Sequence, residues 1–203
     1  TNLIIPDEVT SINCLTFFGC NSIKNVTLTS NVTSIGSFAF QGCDNLKSIE
    51  IPESIETICA TAFWECSSLE SITIPESVTT IHECVFYKCS SLSAFYGKYA
   101  SADNRCLIYN STLIAFAPVG SITTYTIPEG VTRIGSYAFN DCSPLKNIDI
   151  PNGVTEIGGY AFEGCSSLTT ITIPEGVTSI FGTFDGCSSL TTVDIPNSVT
   201  DIG

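Results

Sequence analysis

Apolar and polar residues alternate with a period of two in short bursts along this chain, and the bursts return at a fixed distance. Ser48-Ile49-Glu50-Ile51 is one of them, and it predicts a short strand with one buried face. Pro52 follows at once, and a proline cannot donate to a sheet ladder, so the strand is expected to stop and turn through Pro52-Glu53-Ser54. The same break recurs at Pro75, Pro128, Pro151, Pro174 and Pro196. Ile55 and Ile58 then lead the chain back toward a core. The Ala62-Phe63 pair predicts a tight helical or irregular segment on the opposite side, where a small residue permits close approach and a ring fills volume.

The bursts belong to an internal repeat of about 23 residues, of the form Ala-Phe-x-x-Cys-Ser-Ser-Leu-x-x-Ile-x-Ile-Pro-x-x-Val-x-x-Ile-Gly. Its cysteine falls at Cys20, Cys43, Cys66 and Cys89, then at Cys142, Cys165 and Cys187. A phenylalanine precedes each by three residues, at Phe17, Phe40, Phe63, Phe86, Phe139, Phe162 and Phe184. An aliphatic residue follows each by three, at Ile23, Leu46, Leu69, Leu92, Leu145, Leu168 and Leu190. One such unit cannot bury its own apolar face, so successive units must stack and cover one another. The expected architecture is a solenoid over residues 1–203, a right-handed coil with one parallel β-sheet on its concave side and short helical or irregular segments opposite. Residues 1–95 carry the N-terminal repeats, 96–126 an irregular unit, and 127–203 the C-terminal repeats.

The motif resembles the BspA-like class of leucine-rich repeats, found in surface proteins of host-associated bacteria and some protozoa. The resemblance covers nearly the whole chain. It implies a leucine-rich-repeat solenoid placed outside the cell or on its surface, and a role in adhesion or protein–protein interaction with host or microbial partners.

The period breaks once. From Cys89 to Cys142 the spacing is 53 residues, two repeats plus seven. Leu92 and Phe95 keep the register, but Gly97-Lys98 stands where Ile-Pro is expected. Two short apolar stretches, Cys106-Leu107-Ile108-Tyr109 and Thr112-Leu113-Ile114-Ala115-Phe116, then flank Asn110-Ser111, which predicts a β-hairpin. Tyr125-Thr126-Ile127-Pro128 restores the repeat. Both ends stop inside a motif, at Asn2-Leu3-Ile4-Ile5-Pro6 and at Val199-Thr200-Asp201-Ile202-Gly203. That is the pattern expected of a fragment of a longer chain whose exposed edge is prone to edge-to-edge self-association.

Charge narrows the partners. Twenty acidic residues face seven basic ones, for a net charge of −13. This argues against nucleic acid and against anionic lipid headgroups, both of which are bound through lysine and arginine. No apolar run approaches the roughly 20 residues that span a bilayer.

Of the eleven cysteines, seven occupy the repeat column, where a small buried thiol donates weakly to a neighbouring turn. The others are Cys14, Cys59, Cys84 and Cys106, and Cys59 and Cys84 fall on adjacent coils where a bridge could form. An odd count leaves at least one thiol unpaired. No cysteine pair has zinc-ligand spacing. The only histidine lies in His82-Glu83-Cys84 and fills the repeat position of Gly36, Gly135 and Gly158; Asn13 and Cys59 share that position, so it cannot strictly demand a positive φ. Cys84 with His82 is the one arrangement on which an enzyme could be argued. Without a Gly-x-Ser-x-Gly elbow, a phosphate loop or a paired His-Glu motif, no catalytic residue, metal or cofactor is assigned. Glu53, Glu76, Glu129 and Glu175 recur beside the turns, as on a solvated face. Glycosylation sequons occur at Asn25, Asn31 and Asn110.

The outward strand positions are the first candidates for contact with a partner: Thr27, Glu50, Thr73, Tyr96, Asp149, Thr172 and Asp194, beside Asn25, Ser48, Ser71, Ala94, Asn147, Thr170 and Thr192. These side chains are mostly short and lack the large anchors of tight interfaces. Aromatic residues gather instead at the irregular unit, as Tyr96, Tyr99, Tyr109, Phe116 and Tyr125. The leading expectation is therefore a surface protein that binds an extracellular-matrix or cell-surface protein. A glycan bound by the insert rings, or a spacer without a ligand, is the alternative.

Overall fold

The computed structural model describes residues 1–203, and every regular element in it is a β-strand. The chain divides into two compact units, Thr1–Leu107 and Ile108–Gly203. In the first unit the strands are β1 (Asn2–Ile4), β2 (Asn25–Thr27), β3 (Ser34–Ile35), β4 (Ser48–Glu50), β5 (Thr57–Ile58), β6 (Ser71–Ile74), β7 (Thr80–Ile81) and β8 (Ala94–Gly97). The chain passes into the second unit within β9 (Cys106–Tyr109). There follow β10 (Thr112–Phe116), β11 (Thr124–Thr126), β12 (Arg133–Ile134), β13 (Asn147–Asp149), β14 (Glu156–Ile157), β15 (Thr170–Thr172), β16 (Ser179–Ile180), β17 (Thr192–Asp194) and β18 (Asp201–Ile202).

The solenoid forms as the repeat predicts, with strands of successive coils parallel and in register. Asn2, Asn25 and Ser48 are partners across β1, β2 and β4, and Ser71 pairs with Ala94 across β6 and β8. In the second unit β11, β13, β15 and β17 stack the same way.

Two expectations change. The opposite side holds no helix; residues 36–45 and their equivalents run as consecutive turns. Their amides alternate between turn bonds within the segment and bonds to the next coil: the Gln41 N–H donates to the Phe38 carbonyl, whereas the Phe40 N–H donates to the Ala62 carbonyl and the Phe63 N–H to that of Val85. A helix would satisfy its amides internally and leave none for this ladder. Nor is there only one sheet. The return segments pair as well, β3 with β5 and β7 through Ser34, Thr57 and Thr80.

The core lies between these layers. Val26, Ile49 and Ile72 point inward from one strand column, and Ile35, Ile58 and Ile81 from the other. The repeat phenylalanines stack behind them: Phe63 is fully buried, its centroid 5.5 Å from that of Phe40 and 5.6 Å from that of Phe86. Phe139 and Phe162 stack at 5.2 Å in the second unit. Five of the column thiols donate one coil back, among them Cys43 to the Phe17 carbonyl, Cys66 to Phe40 and Cys89 to Phe63 at 3.1–3.2 Å, whereas Cys142 donates to the Asn140 carbonyl of its own coil. All eleven cysteines are free, so no bridge joins Cys59 to Cys84.

Burial pushes the Cys43 thiol up to about 11 and that of Cys89 up to about 12. A folded value above the unfolded one means that stability is fully present below the ordinary thiol pKa, near 8.5, and is lost as pH rises through the folded values. The urea midpoint is therefore expected to fall steadily from about pH 9 to pH 12. A variant carrying Cys43→Ser and Cys89→Ser should show a shallower fall; equal slopes would contradict the assignment.

Left-handed backbone recurs at fixed positions of the turns. Leu15, Phe38, Thr61 and Cys84, on successive coils, all have φ near +60°, as do Tyr137 and Tyr160. Gly36, Gly135 and Gly158, two residues earlier, do not. A β-branched residue is the least suited to that region. The column already admits side chains as large as phenylalanine, so Thr61→Asn is expected to raise stability by about 0.5–1 kcal/mol. Thermal unfolding that is unchanged or lowered would count against this.

The irregular unit contains the expected hairpin. Asn110 and Ser111 join β9 to β10 with φ of 48° and 58°, two left-handed residues as the twist of a two-residue loop requires. Before it, Gly97 lies directly over Ile74 at φ +89°. A Cβ there would stand 2.0 Å from the Ile74 carbonyl oxygen, so only glycine lets β8 close on β6.

Candidate strand-face binding site

Alternation along the strands sorts side chains by face. In β2 and β4, Val26 and Ile49 are buried while Asn25, Thr27, Ser48 and Glu50 face out. Registration then carries each outward residue onto its equivalent in the next coil, Thr27 beside Glu50 and Thr73 beside Tyr96. The short side chains form a hydrogen-bonded ladder: the Asn25 amide donates to Asn2 Oδ1 at 2.8 Å, and the Ser48 hydroxyl to Asn25 Oδ1 at 2.9 Å.

Over this face of the first unit lies a groove of about 590 Å³. Its floor is strand backbone with Asn25, Ser48, Ser71 and Thr73, and its lining includes three carboxylates, Glu50, Glu53 and Glu76. It contains no lysine, arginine or histidine. Glu50 comes from β4, whereas Glu53 and Glu76 come from the turns that the prolines impose at the strand ends. Gly97 also lines the groove, at the position that the buried Ile51 and Ile74 hold in the preceding coils. The second unit has two smaller grooves on its strand face, of about 360 and 260 Å³. Asp149 and Thr172 line the first, and Thr172, Glu175 and Asp194 the second. The Thr172 hydroxyl donates to Asp194 Oδ2 at 3.2 Å.

The sequence candidates separate on this map. Glu50 and Thr73 meet in the large groove, with Tyr96, 45% exposed, beside Thr73. Tyr99 is half-buried, and its hydroxyl donates to the Val78 carbonyl at 2.8 Å. Tyr109 is half-buried in β9. Phe116 and Tyr125 are core residues: they meet edge to face at 4.7 Å, and Phe116 stacks on Phe139 at 4.9 Å. Those two rings hold the hairpin to the repeat, and their faces are closed to a partner, so a glycan platform built from the insert rings loses both. Glu53, Glu76 and Gly97 enter the groove unforeseen. The turn glutamates read as solvated, and only their place just after a strand marks them as rim residues; the signal for Gly97 is Gly-Lys in place of Ile-Pro.

For the enzymatic alternative, burial raises the Cys84 thiol. A thiolate nucleophile needs its pKa lowered. No helix is long and apolar enough to cross a membrane.

A family model described as the BspA type leucine rich repeat region, of six copies, matches residues 1–114 and 112–203. Among solved structures, a leucine rich cell surface protein from Faecalibacterium prausnitzii A2-165 is similar at 27% identity and a TM-score of 0.77. The alignment covers 93% of this chain and 64% of that one. The chain thus spans less than two thirds of that protein's length. The pneumococcal vaccine antigen PcpA shares the fold at 21% identity and a TM-score of 0.73, over 99% of this chain and 67% of that one. A leucine-rich repeat protein from Eubacterium ventriosum ATCC 27560 does so at 23% identity and a TM-score of 0.59, over 96% and 72%. No curated protein matches the chain.

Proposed function

The chain belongs to the BspA-type leucine-rich-repeat family, and on that premise we propose that it is a binding module exposed outside the cell. It holds an extracellular-matrix or cell-surface protein against the strand face of its first unit. The observation that carries this reading is the groove over β2, β4 and β6. There a polar face, in register between β2 and β4, presents Asn25, Thr27, Ser48, Glu50 and Thr73 to solvent. Backbone and short side chains position a partner there, and Tyr96 is the one large exposed aromatic residue on that face. A tight interface needs a few large anchors. With only one supplied here, the partner must bring the others, and affinity is expected to be moderate.

The test is a surface-plasmon-resonance panel of purified extracellular-matrix and cell-surface proteins over the immobilised chain, alongside a Ser48→Trp variant that fills the groove. A panel member bound by the unmodified chain and lost in Ser48→Trp is the expected result. Binding that survives the filled groove, or a panel without a binder, would overturn the assignment.

A further inference from the structure

We infer that the groove of the first unit is a docking site for an extended, lysine- and arginine-rich segment of the partner protein, an inference that rests on the protein-binding role proposed above. Glu50, Glu53 and Glu76 line the groove, and their carboxylates make no hydrogen bond or ion pair within the chain. Three lysines of the first unit are engaged elsewhere. Lys47 pairs with Glu70 at 3.4 Å and Lys88 with Glu65 at 3.7 Å. The Lys98 ammonium donates to the main-chain oxygens of Glu76 and Val78 at 2.8 and 3.2 Å, and so leaves the Glu76 carboxylate open.

The same sign recurs on the second unit, where Asp149, Glu175 and Asp194 line the strand-face grooves and no cation does. A surface that places its ion pairs off the strand face and its carboxylates without a cation on it attracts a cationic ligand and repels an anionic one.

The spacing suits an extended chain. Neighbouring coils stand about 4.8 Å apart, so the column Glu50, Thr73, Tyr96 spans about 10 Å. Alternate side chains of an extended peptide stand about 7 Å apart and project to one side. The long stems of lysine and arginine take up the difference, so one basic residue can meet the Glu50 carboxylate while a second lies against the exposed Tyr96 ring, which attracts a cation through its π face. The open groove is wet, so binding should be salt-sensitive.

The experiment is fluorescence anisotropy with a labelled ten-residue peptide of alternating lysine and serine, and a glutamate–serine peptide as its counterpart. It compares the unmodified chain with two variants that each remove three charges. One carries Glu50→Gln, Glu53→Gln and Glu76→Gln; the other carries Glu8→Gln, Asp44→Asn and Glu56→Gln, outside the groove. Circular dichroism confirms that both are folded. The expected result is binding of the lysine peptide alone, weakened at least tenfold in the groove variant and by less than twofold in the other. Equal losses in both variants would show a diffuse effect of net charge and overturn the inference, as would a groove variant that binds normally. The panel separates the two levels. A protein displaced by Ser48→Trp but indifferent to the three glutamine substitutions defeats the cationic partner and leaves the groove as a binding site. Binding indifferent to Ser48→Trp defeats both.

Discussion

Gly97→Ala is expected to be the most damaging methyl group that can be added to the first unit. Its Cβ would stand 2.0 Å from the Ile74 carbonyl oxygen and 2.9 Å from the Ile74 carbonyl carbon, and both are backbone atoms with no side-chain freedom to yield. The residue also holds φ at +89°, where an L side chain is strained whatever the space. Together these should cost about 3–5 kcal/mol, at the upper end of single substitutions. Gly19→Ala is the matched control: φ is +67°, but nothing lies within 4 Å of its added Cβ, so only the conformational cost of about 1 kcal/mol applies. Urea denaturation of the two variants separates the effects. Similar midpoints would mean that β8 can retreat from β6 at little cost. Because Gly97 also lines the groove, a Gly97→Ala variant that pushes β8 off β6 should bind ligand more weakly even where it remains folded.

Phe63→Ala is the second large effect, and it arises from the stacking. Phe63 is fully buried with its ring within 4° of parallel to both Phe40 and Phe86, so truncation removes one ring's packing and two ring–ring contacts at once. A cost of about 3–5 kcal/mol is expected. Phe63→Leu, which keeps most of the volume, should cost about half as much or less. Phe18→Ala, in a residue 55% exposed, should lie within about 0.5 kcal/mol of the unmodified chain. In a linear stack a coil is held only by its neighbours. A weakened coil in the middle therefore lowers cooperativity as well as stability, and the denaturant slope should fall along with the midpoint. A variant that shifts the midpoint by less than Phe18→Ala would contradict the role given to the phenylalanine column.

The columns were legible in the sequence because each repeat solves the same packing problem. A phenylalanine, a cysteine and a leucine at fixed spacing leave one arrangement in which all three are buried, and Phe63, Cys66 and Leu69 are fully buried. The hairpin at Asn110-Ser111 was legible for a similar reason, since two apolar stretches flank residues that tolerate left-handed backbone. The helical expectation failed at Ala62-Phe63. A small residue beside a ring suits a helix as well as a turn ladder, and only the hydrogen bonds to the next coil distinguish them. The candidate site divides along the same line. Glu50 and Thr73 follow from strand alternation, a local property. Whether Phe116 and Tyr125 face solvent depends on where the hairpin packs, which residues far apart in sequence decide; both rings are drawn into the core around Phe139. Glu53 and Glu76 line the groove because turns of successive coils align, and no single repeat shows that alignment.

The strand-face site is tested most directly by crosslinking. A photo-reactive benzoylphenylalanine is placed at Thr73, on the groove, or at Phe38, which is 37% exposed on the turn segments, and the chain is irradiated with a panel protein that it binds. A covalent adduct from position 73 and none from position 38 is expected. An adduct from position 38 alone would place the partner on the turns and contradict the strand-face site.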